Sequence, residues 1–180
     1  MLSNMSAQSE IRSPLEMVRE AHFQANGDAP PNLEQLRSVI DTMVPFCNLT
    51  GVRVVELRRD GGVAELPNRP DLQNHMGTVH AAAQFLAAEV SGAAAFSGAL
   101  APRIFSLRSF VLRDCRIMYL RPAVGRIRAH GSVDIEVAHP AAERTAEERF
   151  EIRGGSLLYD DAGALVAKAE FDYRAWFDAS

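Results

Sequence analysis

The sequence predicts an α+β fold in which one long apolar helix packs against a large antiparallel sheet. The first observation behind this prediction is the stretch 78–98, which is rich in alanine and carries a single acid, Glu89. The second is that apolar and polar residues alternate through several long segments after it, the period of strands with one face on a core. A helix and a sheet of these lengths would bury each other's apolar faces.

Size and composition indicate one globular domain and limit the classes of molecule that it is expected to bind. The chain has 180 residues, 47% hydrophobic content and a net charge of -4, so it can bury a core and has no general attraction to nucleic acid. Cys47 and Cys115 lack metal-type spacing, and the N-terminus lacks the basic start and apolar run of a signal peptide. The stretch 79–101 is too polar to span a membrane. We therefore expect a cytoplasmic protein without a metal, a membrane anchor or a nucleic-acid partner.

Two helices are expected before the sheet. Ser13 would cap the first, which begins at Pro14 and ends near Gly27. Asn32 would cap the second, and Pro45 would end it. We assign residues 1–45 to an N-terminal helical extension and 46–180 to the main domain.

The remaining helices and strands are predicted from changes in the spacing of apolar residues along the chain. Segments 52–57 and 63–66 predict a hairpin around a turn that contains two glycines, and the central helix should cover 78–98 with Thr78 as its cap. Segment 103–120 suits one long strand with a bulge near Asp114. Segment 126–137 alternates strictly, which predicts a twelve-residue strand. The last two predicted strands, at 150–158 and 165–173, flank a turn at 160–163.

Glu89 is the residue of greatest chemical interest, because it would project from an apolar face of the central helix. At 100° per residue the same face carries Thr78, Ala82, Phe85, Gly92 and Phe96. Burying an unpaired carboxylate is costly and raises its pKa toward the range of a general base. Two interpretations stay open: an acid kept for catalysis, or a carboxylate paired with a buried arginine.

A family resemblance rests on residues around this helix. Asn74 stands six residues before His80, and Glu89 stands nine residues after it. Segment 116–123, Arg-Ile-Met-Tyr-Leu-Arg-Pro-Ala, is closed by Gly125, and a hairpin ending in Leu66-Pro67 precedes the asparagine. Over residues 46–176 the chain resembles the PaaI-like acyl-CoA thioesterases of the hotdog fold, in which a curved antiparallel sheet wraps a long central helix. It departs from that family at two glycines after the histidine, which are alanines here, and at Ala93, where some relatives have a hydroxyl.

The resemblance implies hydrolysis of an acyl-CoA thioester without a cofactor, by a homodimer or homotetramer. Glu89 would be the general base or a direct nucleophile, and Asn74 would orient water or carbonyl from the neighbouring subunit. The backbone N–H groups of His80, Ala81 and Ala82 would hold the oxyanion. The expected substrate-binding residues are Gly77, Thr78, Phe85, Phe96, Arg121 and Arg126, the two arginines as phosphate contacts.

Structural roles compete with some of these assignments. Asn74 suits a turn, and His80 would lie opposite Glu89 on a helix that included it, which favours a role in holding the helix start. Most arginines of segment 103–128 suit a solvated strand face. Two other functions fit the same fold: a non-catalytic acyl-CoA or fatty-acyl binding protein, and a structural or regulatory partner protein.

Overall fold

A long helix lies against a six-stranded antiparallel sheet in the computed structural model, which describes residues 14–27 and 29–179. The helices are α1 (Pro14–Asn26), α2 (Leu33–Met43), α3 (Pro45–Thr50), α4 (Ala81–Ala99) and α5 (Ile135–Ala142). The strands are β1 (Arg53–Arg58), β2 (Gly61–Leu66), β3 (Leu107–Tyr119), β4 (Ile127–Val133), β5 (Glu148–Tyr159) and β6 (Leu165–Phe177). Short 3-10 helices cover Pro70–Leu72 and Ala101–Ser106. The strand order is β1-β2-β4-β5-β6-β3, and the curved sheet wraps α4, so the predicted hotdog fold is confirmed.

The small residues of α4 let the helix approach the sheet closely. A Cβ atom at Gly131 of β4 would overlap the carbonyl oxygen of Ser91, and one at Gly98 would overlap the carbonyl oxygen of Arg58. Ala87 and Ala94 are fully buried in the same contact. The alanine-rich composition of this helix therefore reflects close packing against backbone.

Several predicted boundaries are confirmed. Asn32 caps α2, with its side-chain oxygen accepting from Gln35 N at 2.8 Å, and Gly27 ends α1 with a positive φ of 61°. The hairpin, β5 and β6 lie where they were expected, and β3 has an irregularity between Leu112 and Asp114. The proposed cap Ser13 lies outside the described residues.

The strand predicted for 126–137 is wrong in its second half. The β4 strand stops at Val133, and Asp134 caps α5 by accepting from the backbone N–H of Glu136 at 3.1 Å. Ile135 and Val137 continue the apolar alternation, but the residues buried further along α5 follow a helical spacing: Ala138, Ala141 and Ala142. The Asp134 cap and the burial of these three alanines favour a helix here, although Ile135 and Val137 alternate as in a strand.

The strand predicted from residue 103 begins later, at Leu107. Residues 101–106 form a 3-10 helix in which Arg103 is buried. Its guanidinium pairs with Glu148 at 2.6 Å and donates to the carbonyl oxygens of Ala141 and Ala146. Arg103 therefore joins three elements of the core, and a solvated strand face is wrong for this arginine.

Helix α2 is fastened to the edge strand β1 by polar contacts. The buried carboxylate of Asp41 accepts from Val54 N at 2.7 Å and from the Arg53 guanidinium. Burial opposes its ionisation, but these hydrogen bonds outweigh burial and hold the pKa of Asp41 below its usual value. Arg37 adds a hydrogen bond to the Val54 carbonyl at 2.7 Å. The helix α3, which no prediction anticipated, then leads directly into the sheet.

Over residues 14–27 and 29–179, no helix combines the length and the apolar character that a membrane crossing requires.

Candidate functional site

Glu89 lines an apolar cavity of about 440 Å³, called the Glu89 cavity below. One wall is the stripe of α4 formed by Leu86, Glu89, Val90, Ala93, Phe96 and Ser97. The opposite wall comes from α2 and α3, and the segment that follows α4 closes one side. A carboxylate in such a wall is a candidate reactive group with a space for an apolar ligand beside it.

Among the described residues, Glu89 has no partner that would neutralise its charge. Within the part of the chain that the structure describes, no hydrogen bond or ion pair reaches its carboxylate, and burial raises its pKa. The buried Arg103 pairs with Glu148 instead. The alternative of a carboxylate held by a buried arginine therefore finds no partner among these residues.

Two weak acids lie near Glu89 and remain protonated. Burial and then the charge of Glu89 raise the pKa of the Cys47 thiol, and the same two causes, in the same order, raise the pKa of the Tyr173 hydroxyl. The Tyr173 hydroxyl is buried beside Gly92, one turn along α4 from Glu89, and has no hydrogen-bond partner in the described residues. Burial therefore favours the neutral forms of Glu89, Cys47 and Tyr173, whereas hydrogen bonds lower the pKa of Asp41, which also lines the cavity.

Asn74 lies in the loop between β2 and α4, where its side chain organises the loop. Its Oδ1 accepts from Met76 N at 2.9 Å and Thr78 N at 3.2 Å, and its Nδ2 donates to Thr78 Oγ1 at 2.9 Å. Gly77 of the same loop has φ 72°, the left-handed conformation that glycine tolerates. The Asn74 side chain is therefore hydrogen-bonded to Thr78. A catalytic role for the asparagine remains a prediction.

The helix start differs from the prediction in one respect. His80, and not Thr78, caps α4: its Nδ1 accepts from Ala82 N at 3.0 Å. Thr78 is excluded because the loop continues to His80, whose backbone N–H donates to Leu72 O at 2.8 Å. The role expected for the His80 side chain, holding the helix start, is confirmed.

Of the three expected oxyanion donors, two are already engaged, the N–H groups of His80 and Ala82. Ala81 and Ala82 are exposed at the helix start, and Tyr119 of β3 donates to Ala81 O at 2.9 Å. No bond from the Ala81 N–H is found within the described ranges, so among these three donors it is the one that a ligand could engage without breaking a hydrogen bond.

Glu89 and the helix start are separated along α4. The eight steps from Ala81 to Glu89 span about 12 Å of helix axis at 1.5 Å per residue. This separation of the two backbone positions is several times the length of a hydrogen bond, about 3 Å.

The predicted substrate-binding residues divide between the cavity and the surface. Phe96 lines the Glu89 cavity, whereas Phe85 is partly buried nearer the helix start and is not part of its wall. The guanidinium of Arg126 forms ion pairs with Asp161 at 3.2 Å and with Glu65 at 3.7 Å. The exposed guanidinium of Arg121 makes no ion pair or hydrogen bond with any described residue, which leaves it available to an anion.

The sequence did not reveal the second wall of the cavity. Ile40 of α2, Phe46 and Cys47 of α3, and Val44 between the two helices line the same cavity as Glu89. The spacing of apolar residues in α2 indicates that one face of this helix is buried, but it does not show which part of the protein that face covers.

The described residues contain no cluster of three or more His, Cys, Asp or Glu side chains arranged to hold a metal ion.

Comparisons with known proteins agree with the fold. Residues 34–175 match the family described as "Domain of unknown function (DUF4442)". No curated protein matches the chain significantly.

Three solved structures illustrate the structural likeness. A Pseudomonas aeruginosa protein of unknown function, named a probable thioesterase, has a TM-score of 0.62 and 23% identity over 84% of this chain and 99% of its own. A Shewanella oneidensis protein related to the thioesterase superfamily gives 0.59 and 19%, over 87% of this chain and 96% of its own. A mutant thioesterase from Pseudomonas aeruginosa gives 0.61 and 18%, over 82% and 95%.

The match to most of the chain, together with the curved sheet around α4, shows that this protein is a hotdog-fold member of the DUF4442 family.

Proposed function

We propose that this protein hydrolyses acyl-CoA thioesters, with Glu89 as general base or nucleophile. The observation that carries the proposal is a carboxylate in the wall of an apolar cavity that has no partner among the described residues and whose pKa is raised by burial. The names of the structural neighbours, probable thioesterase and thioesterase, support the same class of reaction.

As a base, Glu89 would take a proton from water as the water oxygen attacks the thioester carbonyl. The tetrahedral oxyanion then collapses and expels coenzyme A as a thiolate, leaving the carboxylic acid, and protonated Glu89 returns its proton to the thiolate or to solvent. As a nucleophile, Glu89 would form a mixed anhydride with release of the thiolate, and water would then hydrolyse the anhydride.

The proposed site is shared between two subunits. Because Ala81 and Glu89 lie about 12 Å apart along one helix, a second subunit would supply the oxyanion donor for each Glu89. Phe85 is the midpoint between these positions, so two α4 helices that cross antiparallel near Phe85 would place each Ala81 beside the other copy's Glu89. A two-fold dimer would thus hold two complete sites, with Asn74 contributed across the interface.

Arg121 is the better of the two proposed phosphate contacts. Its guanidinium is exposed without an ion pair among the described residues, and a guanidinium binds phosphate in a bidentate manner. Arg126, proposed with it, would have to exchange its contacts with Asp161 and Glu65 for a phosphate.

The decisive experiment assays acyl-CoA hydrolysis by release of free thiol in the wild type and Glu89→Gln. We expect turnover to fall by at least about a hundredfold in the variant, the contribution of a general base. Glu170→Gln, an exposed substitution on β6, is the matched control and should retain activity. Equal rates in wild type and Glu89→Gln would refute the mechanism.

The second candidate function is non-catalytic binding of an acyl-CoA. The observation that favours it is that the N–H groups of His80 and Ala82 and the Asn74 amide already have partners. Saturable binding of an acyl-CoA by the wild type without thiol release would establish this alternative.

A further inference from the structure

Resting on the proposed thioester chemistry, we infer that the N-terminal helices build the acyl-chain site, that its substrate is an unbranched aliphatic acyl group of medium length, and that Phe105 sets the length limit. The Glu89 cavity is lined by α4, by residues of α1, α2 and α3, and by residues at β1, β3 and the 3-10 helix that precedes β3. The helices before the sheet therefore form a wall of the site that contains Glu89.

The chemistry of this wall selects an alkyl chain. Besides Glu89, the polar lining residues include Asp41 and Ser97, and both are already satisfied. Asp41 accepts from Val54 N–H and Arg53, and Ser97 Oγ donates to Ala93 O at 2.9 Å. A ligand in this space meets aliphatic and aromatic side chains and would gain mainly from burial of its own apolar surface.

The shape of the cavity selects an extended chain. Its wall on α4 runs from Leu86 to Ser97, which is about 16 Å along the helix, and the part beyond Glu89 is about 12 Å long. A compact aromatic acyl group would leave the far end of this space empty. An extended octanoyl or decanoyl chain, with its thioester at Glu89, would follow the stripe to Ser97.

Phe105 closes the far end. It lies in the 3-10 helix that follows α4, and its ring stacks on His22 of α1 with centroids 4.2 Å apart. An adjoining cavity of about 240 Å³ lies beyond it, and Phe105 lines both spaces together with Val18, Leu36 and Val39. Phe105 thus stands between the two cavities together with these three aliphatic side chains, and as the largest of the four it would limit the chain length.

The experiment measures kcat/KM for acetyl-, butanoyl-, hexanoyl-, octanoyl-, decanoyl-, dodecanoyl- and benzoyl-CoA. For the wild type we expect a rise of about fourfold per methylene, a maximum at octanoyl or decanoyl, and a poor benzoyl substrate. A flat profile, or a maximum at acetyl- or benzoyl-CoA, would overturn the inference while leaving hydrolysis established.

Two variants move the limit in opposite directions. Phe105→Ala joins the cavities, so the dodecanoyl-to-octanoyl ratio of kcat/KM should rise at least about tenfold. Ser97→Phe fills the far end, so the decanoyl-to-butanoyl ratio should fall at least about tenfold. Thr145→Phe, an exposed substitution between α5 and β5, is the control and should keep the wild-type profile. Ratios unchanged in a folded Phe105→Ala protein would refute the role of the phenyl ring.

A binding measurement separates this inference from the proposed reaction. Calorimetric titration of Glu89→Gln with acetyl-CoA and decanoyl-CoA should give at least about tenfold tighter binding of the decanoyl ligand. If the wild type hydrolyses none of the thioesters but this preference holds, hydrolysis fails and the acyl site stands. If binding shows no chain-length preference, the acyl site fails whatever the hydrolysis result.

Discussion

At the scale of single residues, Glu89 combines features that oppose stability. It is half-buried, it has no hydrogen bond or ion pair within residues 14–27 and 29–179, and burial raises its pKa from the ordinary 4.5. A carboxyl whose folded pKa exceeds its unfolded pKa favours the fold while it is protonated. That contribution is lost as pH rises from the unfolded value through the folded one.

Glu89→Gln should therefore stabilise the protein, and more so at higher pH. The amide removes the penalty of burying a charge, so the increase in Tm over the wild type should be larger at pH 8 than at pH 5. Thermal unfolding of both proteins across this range tests the prediction, with Glu170→Gln as the exposed control. A Tm difference that stays constant with pH would mean that the folded protein does not penalise the Glu89 charge.

Individual residues also show which features of the site can be predicted from the local sequence. Glu89 was found because helical periodicity is local, and 3.6 residues per turn place it among apolar neighbours. Thr78 was misplaced as the cap because a hydroxyl and a histidine can both accept from a helix N–H, and only the loop around Asn74 decides between them. Competing local patterns of this kind need the three-dimensional path of the chain.

At the scale of elements, the fit of α4 against β4 depends on a residue without a side chain. A Cβ atom at Gly131 would overlap the carbonyl of Ser91 in the helix backbone, which cannot move aside as a flexible side chain can. Gly131 also pairs with Gly62 and Ser156 in the neighbouring strands, so the strand cannot shift independently. The helix–sheet contact at this point has no spare room.

Gly131→Ala should consequently destabilise the fold by about 1–3 kcal/mol or more, the usual cost of overpacking. Denaturant unfolding monitored by circular dichroism measures the loss. Ser132→Ala, on the adjacent exposed position of β4, is the matched control and should change stability little. An unfolding free energy equal to that of the wild type would contradict the close approach of α4 and β4.

Most elements could be predicted from sequence, and the exceptions share a cause. The β5 and β6 strands follow plain alternation, and Asn32 provides a cap that competes with nothing nearby. In α5, by contrast, Ile135 and Val137 fit a strand while Asp134 fits a cap, and the burial of the following alanines decides for the helix. The Glu89 cavity was not predictable as a whole, because segments far apart along the chain meet in it.

At the scale of the whole molecule, the proposed site is built from two copies. The helix start and Glu89 lie about 12 Å apart along α4, and β3 is a thirteen-residue strand at the edge of the sheet. Exposed apolar side chains accompany both features: Met76 before α4, and Val111, Tyr119 and Leu120 at β3 and its end. Unpaired edges and exposed apolar groups of this kind favour association with another chain.

Met76 tests this association because its side chain is 73% exposed in the loop that leads into α4. If that loop contacts a second copy, Met76→Glu places an unpaired charge in the interface and should weaken the dimer at least about tenfold. Sedimentation velocity across protein concentrations measures the dissociation constant. Leu157→Glu, on the exposed face of β5 with 42% exposure, is the control and should leave the dimer intact.

The specific activity of Met76→Glu should fall as the proposed dimer dissociates, because each Glu89 would lose the helix start supplied by the other subunit. Specific activity should fall on dilution below the dissociation constant and recover on concentration, while the wild type stays constant over the same range. A monomeric Met76→Glu protein with full specific activity would show that one chain suffices. The oxyanion donor would then have to lie near Glu89 in the same subunit, where the unpartnered Tyr173 hydroxyl is the group to test next.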